Sequence, residues 1–144
     1  CLGPEPLSTA LTPEVFSRSL LQQKRAVKTV LMDQKFLAGM GNIYTDEALH
    51  LARIHPLERA SSLEPGRAEG LLSAIREVLE EGIRRNGASI DWVYRGGEFQ
   101  NYFCVYQRQG QPCLICGSLI QRIRLGQRST YFCPVCQPIP FIQN

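Results

Sequence analysis

Apolar positions recur at helical spacing through the first two-thirds of the chain and give way to short alternating segments near its end. Thr12-Pro13-Glu14 is a helix start: Thr12 caps, Pro13 fits the first helical position and Glu14 suits the N-terminal dipole. That helix carries Val15, Phe16, Leu20 and Leu21 inward and stops near Gln23. Val27 to Gln34 is compatible with a second short helix, broken by the run Leu37 to Asn42. A third helix runs from about Asn42 to Ala52, with Ile43, Ala48, Leu49 and Ala52 as its buried stripe, and Pro56 ends the pattern. Ser62 with Pro65 opens a fourth, reaching about Arg85. Its apolar residues are Leu71, Leu72, Ile75, Val78, Leu79 and Ile83, and Arg67 falls on its solvent face. Asn86-Gly87 supplies the C-terminal stop. Residues 88–101, rich in Gly with Trp92, Tyr94 and Phe99, read as a linker or loop. Beyond them Ser118 to Leu125 alternates polar and apolar, Gly126-Gln127 signals a turn, and Arg128 to Phe132 returns as a second strand. The expected fold is mainly α: a helical domain over 1–100, with the linker or loop at 88–100, then a small β-hairpin domain over 101–144. No internal repeat or low-complexity tract interrupts it.

Cysteine spacing adds chemistry to the hairpin. Cys113, Cys116, Cys133 and Cys136 form Cys-x2-Cys-x16-Cys-x2-Cys. Each close pair can reach one ion, and the gap between pairs is what a hairpin needs to bring the second pair back to the first. Four thiolates leave no open position for water, so the pattern predicts one structural zinc and not a catalytic one. Two disulfides, or reduced core cysteines, are the competing readings. A thiolate cluster argues for a reducing compartment and hence a cytoplasmic protein. Cys1 and Cys104 have no partner in the spacing, and Cys104, in an apolar run, reads as a buried thiol.

Composition narrows the partner. The 144 residues suffice for one domain or for a helical domain with a small satellite, and a hydrophobic content of 44% is ordinary. There is no apolar run long enough to span a membrane and no secretory signal pattern. The net charge of +3 points only weakly to a polyanion. From Asn101 to Asn144, however, there are four arginines, no lysine and no carboxylate residue. A zinc with four thiolates is itself anionic and offsets part of this charge. Arg122, Arg124 and Arg128 on a rigid ribbon still fit contact with phosphates, and a solvated surface is the plainer reading. Gly39-Met40-Gly41-Asn42-Ile43-Tyr44 is the second signal. Two glycines before a helix allow a close approach by another backbone, and the helix N-terminus offers free N–H groups to an anion. Asn42 either caps the helix or donates its amide to a phosphate; a turn with an Asn cap explains the pattern equally well.

These residues carry a resemblance. Leu31-Met32-Asp33-Gln34-Lys35, then Ala38 to Leu49, then Ile54-His55-Pro56 resemble the helix–two-turn–helix region of the bacterial formamidopyrimidine-DNA glycosylase family. Val105-Tyr106, Gly110-Gln111-Pro112-Cys113 and Gln127 to Pro134 resemble that family's C-terminal zinc finger. The match spans nearly the whole chain in order, and Asn42-Ile43-Tyr44 and Ile54-His55-Pro56 look like the formamidopyrimidine type rather than the endonuclease VIII branch. The resemblance implies that the two modules clamp kinked duplex DNA carrying a damaged base or an abasic site. By that likeness Arg128 and Asn42 hold phosphates, Lys28 lies close to the lesion, and Gly41 and Tyr44 belong to the DNA-binding set. It implies a base-excision-repair glycosylase and AP lyase acting on oxidised bases in a bacterial cytoplasm, at the nucleoid.

In that family the chemistry starts at an N-terminal proline amine, which forms a Schiff base with the sugar. Pro4-Glu5-Pro6 has no free proline amine and receives no such role, so no catalytic residue is assigned in this chain. Cys1-Leu2-Gly3-Pro4 reads like the middle of a longer chain, so a catalytic N-terminal domain is an expected partner and the chain alone is expected to be inactive. Residues between Ala88 and Phe99 read as a shortened lesion-capping loop, with Glu98 where an aromatic is expected. The alternative is a free-standing, non-catalytic zinc-ribbon protein that binds nucleic acid.

Overall fold

The structure is a computed structural model that describes residues 2–86 and 103–139. The expected linker and capping loop at 88–100, with Trp92, Tyr94, Glu98 and Phe99, lies outside the described residues. Helix α1 spans Pro13–Leu21, with Thr12 Oγ1 accepting from the Val15 N–H at 3.2 Å. Phe16, Ser17 and Leu20 face inward, whereas Val15 and Leu21 are 39% and 44% exposed. The expectation for those two fails because one helical face holds only the i, i+4 pair Phe16 and Leu20 with its close neighbours.

Helix α2 is a five-residue piece, Val27–Leu31, with no side-chain cap. The chain supplies one from elsewhere. The Val27 and Lys28 N–H groups donate to the Glu58 and Pro56 carbonyls at 2.7 and 3.2 Å. The stretch around Ile54-His55-Pro56 thus satisfies the orphan donors of a helix too short to stand alone.

Helix α3 spans Asn42–Ala52. Gly41 and not Asn42 is its N-cap, which corrects the capping reading, and Arg53 closes it with φ 62. The expected apolar stripe is only half of what is buried. Ala48 and Leu49 face the core, Ile43 and Ala52 are half-buried, and Thr45, Asp46, Glu47 and His50 are buried too. Helix α4, Pro65–Asn86, follows a short 3-10 turn at Ala60–Ser62. Leu71, Leu72 and Ile75 join Phe16, Leu20, Leu31, Leu49 and Ile54 in the helical core, while Ile83 turns outward at 53% exposure. Arg76 reaches back from α4 to the Pro6, Ser8 and Leu11 carbonyls and fixes the N-terminal segment to the helix. Arg67 is not a free surface residue. It forms two hydrogen bonds, of 2.7 and 2.9 Å, to Glu58, a carboxylate only 4% exposed.

Strands β1, Gln121–Leu125, and β2, Arg128–Phe132, pair antiparallel from Gln121↔Phe132 to Leu125↔Arg128. Gly126 takes φ 62 in the two-residue turn, a geometry that glycine adopts without strain. β1 is largely exposed; β2 buries Thr130, Tyr131 and Phe132 against the helical body.

Candidate nucleic-acid interface

The four cysteine sulfurs lie within 4.8 Å of one another. Cys113 Sγ is 3.8 Å from Cys136 Sγ, and Cys116 Sγ is 3.4 Å from Cys133 Sγ. A disulfide needs about 2.0 Å, whereas sulfurs at about 2.3 Å from a tetrahedral zinc stand roughly 3.8 Å apart. The set therefore fits one zinc and not two disulfides. Gly117, at φ 81, donates to the Cys113 carbonyl, and the Ile115 and Cys136 N–H groups donate to the Cys113 and Cys133 sulfurs. Backbone donors aimed at sulfur suit thiolates that carry negative charge.

Helix α3 holds the finger in place. Asn42, Asp46 and His50 stand four residues apart and form a polar line along the helix, with Glu47 beside it. Asn42 Nδ2 donates to the Ser129 carbonyl at 3.1 Å. Asp46 Oδ2 accepts the Tyr131 N–H at 3.1 Å. Glu47 accepts three successive N–H groups, those of Cys104, Val105 and Tyr106, at 2.8, 2.9 and 2.9 Å. His50 Nε2 lies 3.6 Å from Cys113 Sγ. From the other side Gln137 Nε2 donates to the Ile54 carbonyl at 2.9 Å, and the His55 ring packs on Phe132 with centroids 4.6 Å apart. Burial pushes the Glu47 carboxyl upward, against the pull of the three N–H groups and Arg108. Burial also raises the Cys104 thiol to about 11; the residue, expected as a buried thiol, is half-buried.

Lys28 completes the joint. Its Nζ is 2.8 Å from Asp46 Oδ1, 2.8 Å from Thr130 Oγ1 and 3.1 Å from the Ser129 carbonyl. Asp46 Oδ1 has this ion pair and no directional hydrogen bond. Burial lowers Lys28 and raises Asp46 to about 6, and each is drawn back by the other's charge. Two hydrogen bonds from Nζ, to Thr130 and Ser129, with the Asp46 carboxylate beside them, suit the ammonium form.

Beside the joint lies a cavity of about 300 Å³ lined by the polar Arg25, Lys28, Thr29, Asp33 and Arg128 together with Met32, Leu125 and Gly126. Arg25 is paired to Asp33 at 3.1 Å, and Arg128, at the hairpin tip, is exposed. Gly41 sits in the open with φ −100, and a side chain there would meet nothing within 4 Å. Its lack of a Cβ answers to no packing need among the described residues. Arg122 bonds Ser129 Oγ at 3.2 Å, and Arg124 is exposed. Arg108 is different: it is 8% exposed and donates to Gln111, the Cys104 carbonyl and the Pro112 carbonyl, so it shapes the finger's neck.

Residues 2–93 match the Formamidopyrimidine-DNA glycosylase H2TH domain, and residues 110–139 match the zinc finger found in FPG and IleRS. The chain belongs to the formamidopyrimidine-DNA glycosylase family. It is 48% identical over 139 residues to the formamidopyrimidine-DNA glycosylase of Chloroflexus aurantiacus, covering 94% of this chain and 50% of that protein. The MutM (Fpg) crystal structure from Thermus thermophilus superposes with a TM-score of 0.85 at 42% identity, covering 94% of this chain and 53% of that one. Lactococcus lactis Fpg bound non-covalently to DNA containing an AP site superposes with a TM-score of 0.83 at 36% identity, covering 95% and 50%. The chain thus spans about half the length of the curated relatives it matches. The aligned half of these glycosylases is the helix–two-turn–helix region and the finger, and the four-cysteine cluster of that finger takes one structural zinc.

The five residues expected at DNA in a glycosylase of this family divide. Gly41 and Arg128 stand open. Asn42 is half-buried, with its amide on Ser129 and its Oδ1 without a hydrogen-bond partner among the described residues. Lys28, expected beside the lesion, is 1% exposed and caged by Asp46, Ser129 and Thr130. Tyr44 turns back onto α4, where a side chain at Gly82 would collide with its ring. Sequence reasoning missed Asp46, Glu47 and His50. The signal available was the polar residues at spacing four on a helix with few apolar positions to hide behind. No helix among the described residues is long and apolar enough to cross a membrane.

Proposed function

We propose that this chain is the DNA-gripping half of a base-excision glycosylase and AP lyase that acts on oxidised bases, with the helical unit over 1–100 and the finger over 101–144 sharing one grip. Arg128 takes a phosphate from the hairpin tip, and Gly41 and Asn42 take one at the start of α3. The observation that supports this most is the shared Ser129 carbonyl. Asn42 and Lys28 both donate to it, one residue from Arg128, so the start of α3 and the hairpin tip are held side by side. Asn42 spends only one amide hydrogen on that bond and keeps the other for an anion. Gly41 leaves room for a phosphate against the backbone. The family likeness supplies the substrate, a duplex with a damaged or abasic nucleotide, and the zinc keeps the hairpin rigid.

The test is a titration of the zinc-loaded chain with duplex carrying an abasic analogue at two salt concentrations. Two phosphate grips predict that log affinity falls with log salt at a slope of roughly −2, whatever the base sequence. Borohydride trapping on the same duplex is expected to give no covalent adduct with this chain, since no proline amine is assigned in it and Lys28, which lines the cavity with Arg128, is caged. Binding without salt dependence would sink the phosphate reading; a trapped adduct would show an amine nucleophile within this half.

A further inference from the structure

The metal site has a neighbour that is neither a ligand nor part of the finger. His50, on α3, is 2% exposed, and its Nε2 lies 3.6 Å from Cys113 Sγ. A zinc-bound cysteinate carries no proton, so in this pair only the ring can donate. We infer that His50 donates its Nε2–H to the Cys113 thiolate and is the outer-sphere residue that ties the zinc to α3. Cys113 then accepts two N–H groups, one from its own loop, Ile115 at 3.4 Å, and one from the helical body. Both bonds draw charge from the sulfur, so it is a poorer nucleophile and takes up a proton less readily, and they hold it in position beside the metal. The bond lies where water does not compete, since Cys113 is 4% exposed, whereas Cys116 is at the surface. The arrangement places the protected sulfur at the joint and the open one on the solvent side. The other imidazole, His55, does something different: its Nδ1 accepts the Leu57 N–H at 3.0 Å and its ring packs on Phe132.

This inference rests on zinc occupancy and is independent of the DNA reading. Heteronuclear NMR of the zinc-loaded chain, which has two histidines, should show His50 as the Nε2–H tautomer. In the cadmium-substituted chain its Hε2 should show scalar coupling to the metal. An Nδ1–H tautomer, or absence of coupling where the Ile115 amide does couple, overturns the inference without any substitution. His50→Phe keeps ring volume and removes the donor; its zinc should pass to a chelator about tenfold faster or more, with Leu51→Ala, an exposed change on the same helix, at the wild-type rate. Equal rates for His50→Phe and wild type, with the fold intact, would also overturn it.

Discussion

In the helical body, α1, α3 and α4 bury Phe16, Leu20, Leu49, Leu71, Leu72 and Ile75 against one another. In the finger, one buried cluster joins Val105, Ile120 and Tyr131 to Cys113, Cys133 and Cys136, and Phe103 and Phe132 are buried apart from it. The body has an apolar core of its own; the finger substitutes a metal for a core and borrows its orientation from α3. The carboxylates of Asp46 and Glu47 and the amide of Asn42 each take up finger backbone groups that would otherwise be buried without partners. A hydrophobic body tolerates many substitutions of similar volume, whereas a polar joint fails when one partner is removed.

The largest effect that separates the two regions is loss of metal. A structural zinc in a small finger supplies on the order of 10 kcal/mol of folding free energy. Chelation, or Cys113→Ser, should therefore abolish amide-exchange protection across 121–132 and leave the protection of α4 in place. Loss of both together would show that the body depends on the finger.

Next in size is the joint. Lys28→Met leaves Asp46 buried without its cation, at a cost of about 3–5 kcal/mol. Denaturant unfolding should register that cost while zinc content stays at one equivalent. A neutral outcome would mean the pair is dispensable to docking. Within the body, Leu72→Ala removes a fully buried side chain and should cost about 2–5 kcal/mol. Its chelator-driven zinc release should match that of wild type, because Leu72 belongs to the helical core and not to the cluster that holds the cysteines.

The same division explains what could be read in advance. Thr12-Pro13, Pro65, the close Cys pairs and the Gly126 turn each act within a few residues, so α1, the start of α4, the metal cluster and the hairpin were legible. The i, i+4 and i+3 spacing also located Leu71, Leu72 and Ile75 correctly. Spacing alone could not say which side of a helix another module would cover. Val15, Leu21 and Ile83 were expected inside and lie outside. Asp46, Glu47 and His50, given no role from the sequence, are buried because the finger lies over them. Arg67 looked like solvent face because its partner, Glu58, sits nine residues away beyond a turn. The caging of Lys28 depends on Ser129 and Thr130, about a hundred residues distant, and no local pattern encodes it.

The smallest effect on the fold is the one that bears on function. Arg128 is exposed and bonds no other residue through its side chain among the described residues, so Arg128→Ala should leave stability and zinc content unchanged. The direct test is a binding titration of abasic-analogue duplex with wild type, Arg128→Ala, Asn42→Ala, the double variant, and Arg18→Ala as an exposed control on α1. Arg128→Ala should weaken binding roughly ten- to hundredfold, as loss of a charge-assisted hydrogen bond does. Asn42→Ala should weaken it less, and the double variant should fall short of the sum, because Asn42 also holds the carbonyl beside Arg128. If Arg128→Ala binds as tightly as Arg18→Ala at equal zinc content, the hairpin tip does not grip phosphate and the account is wrong.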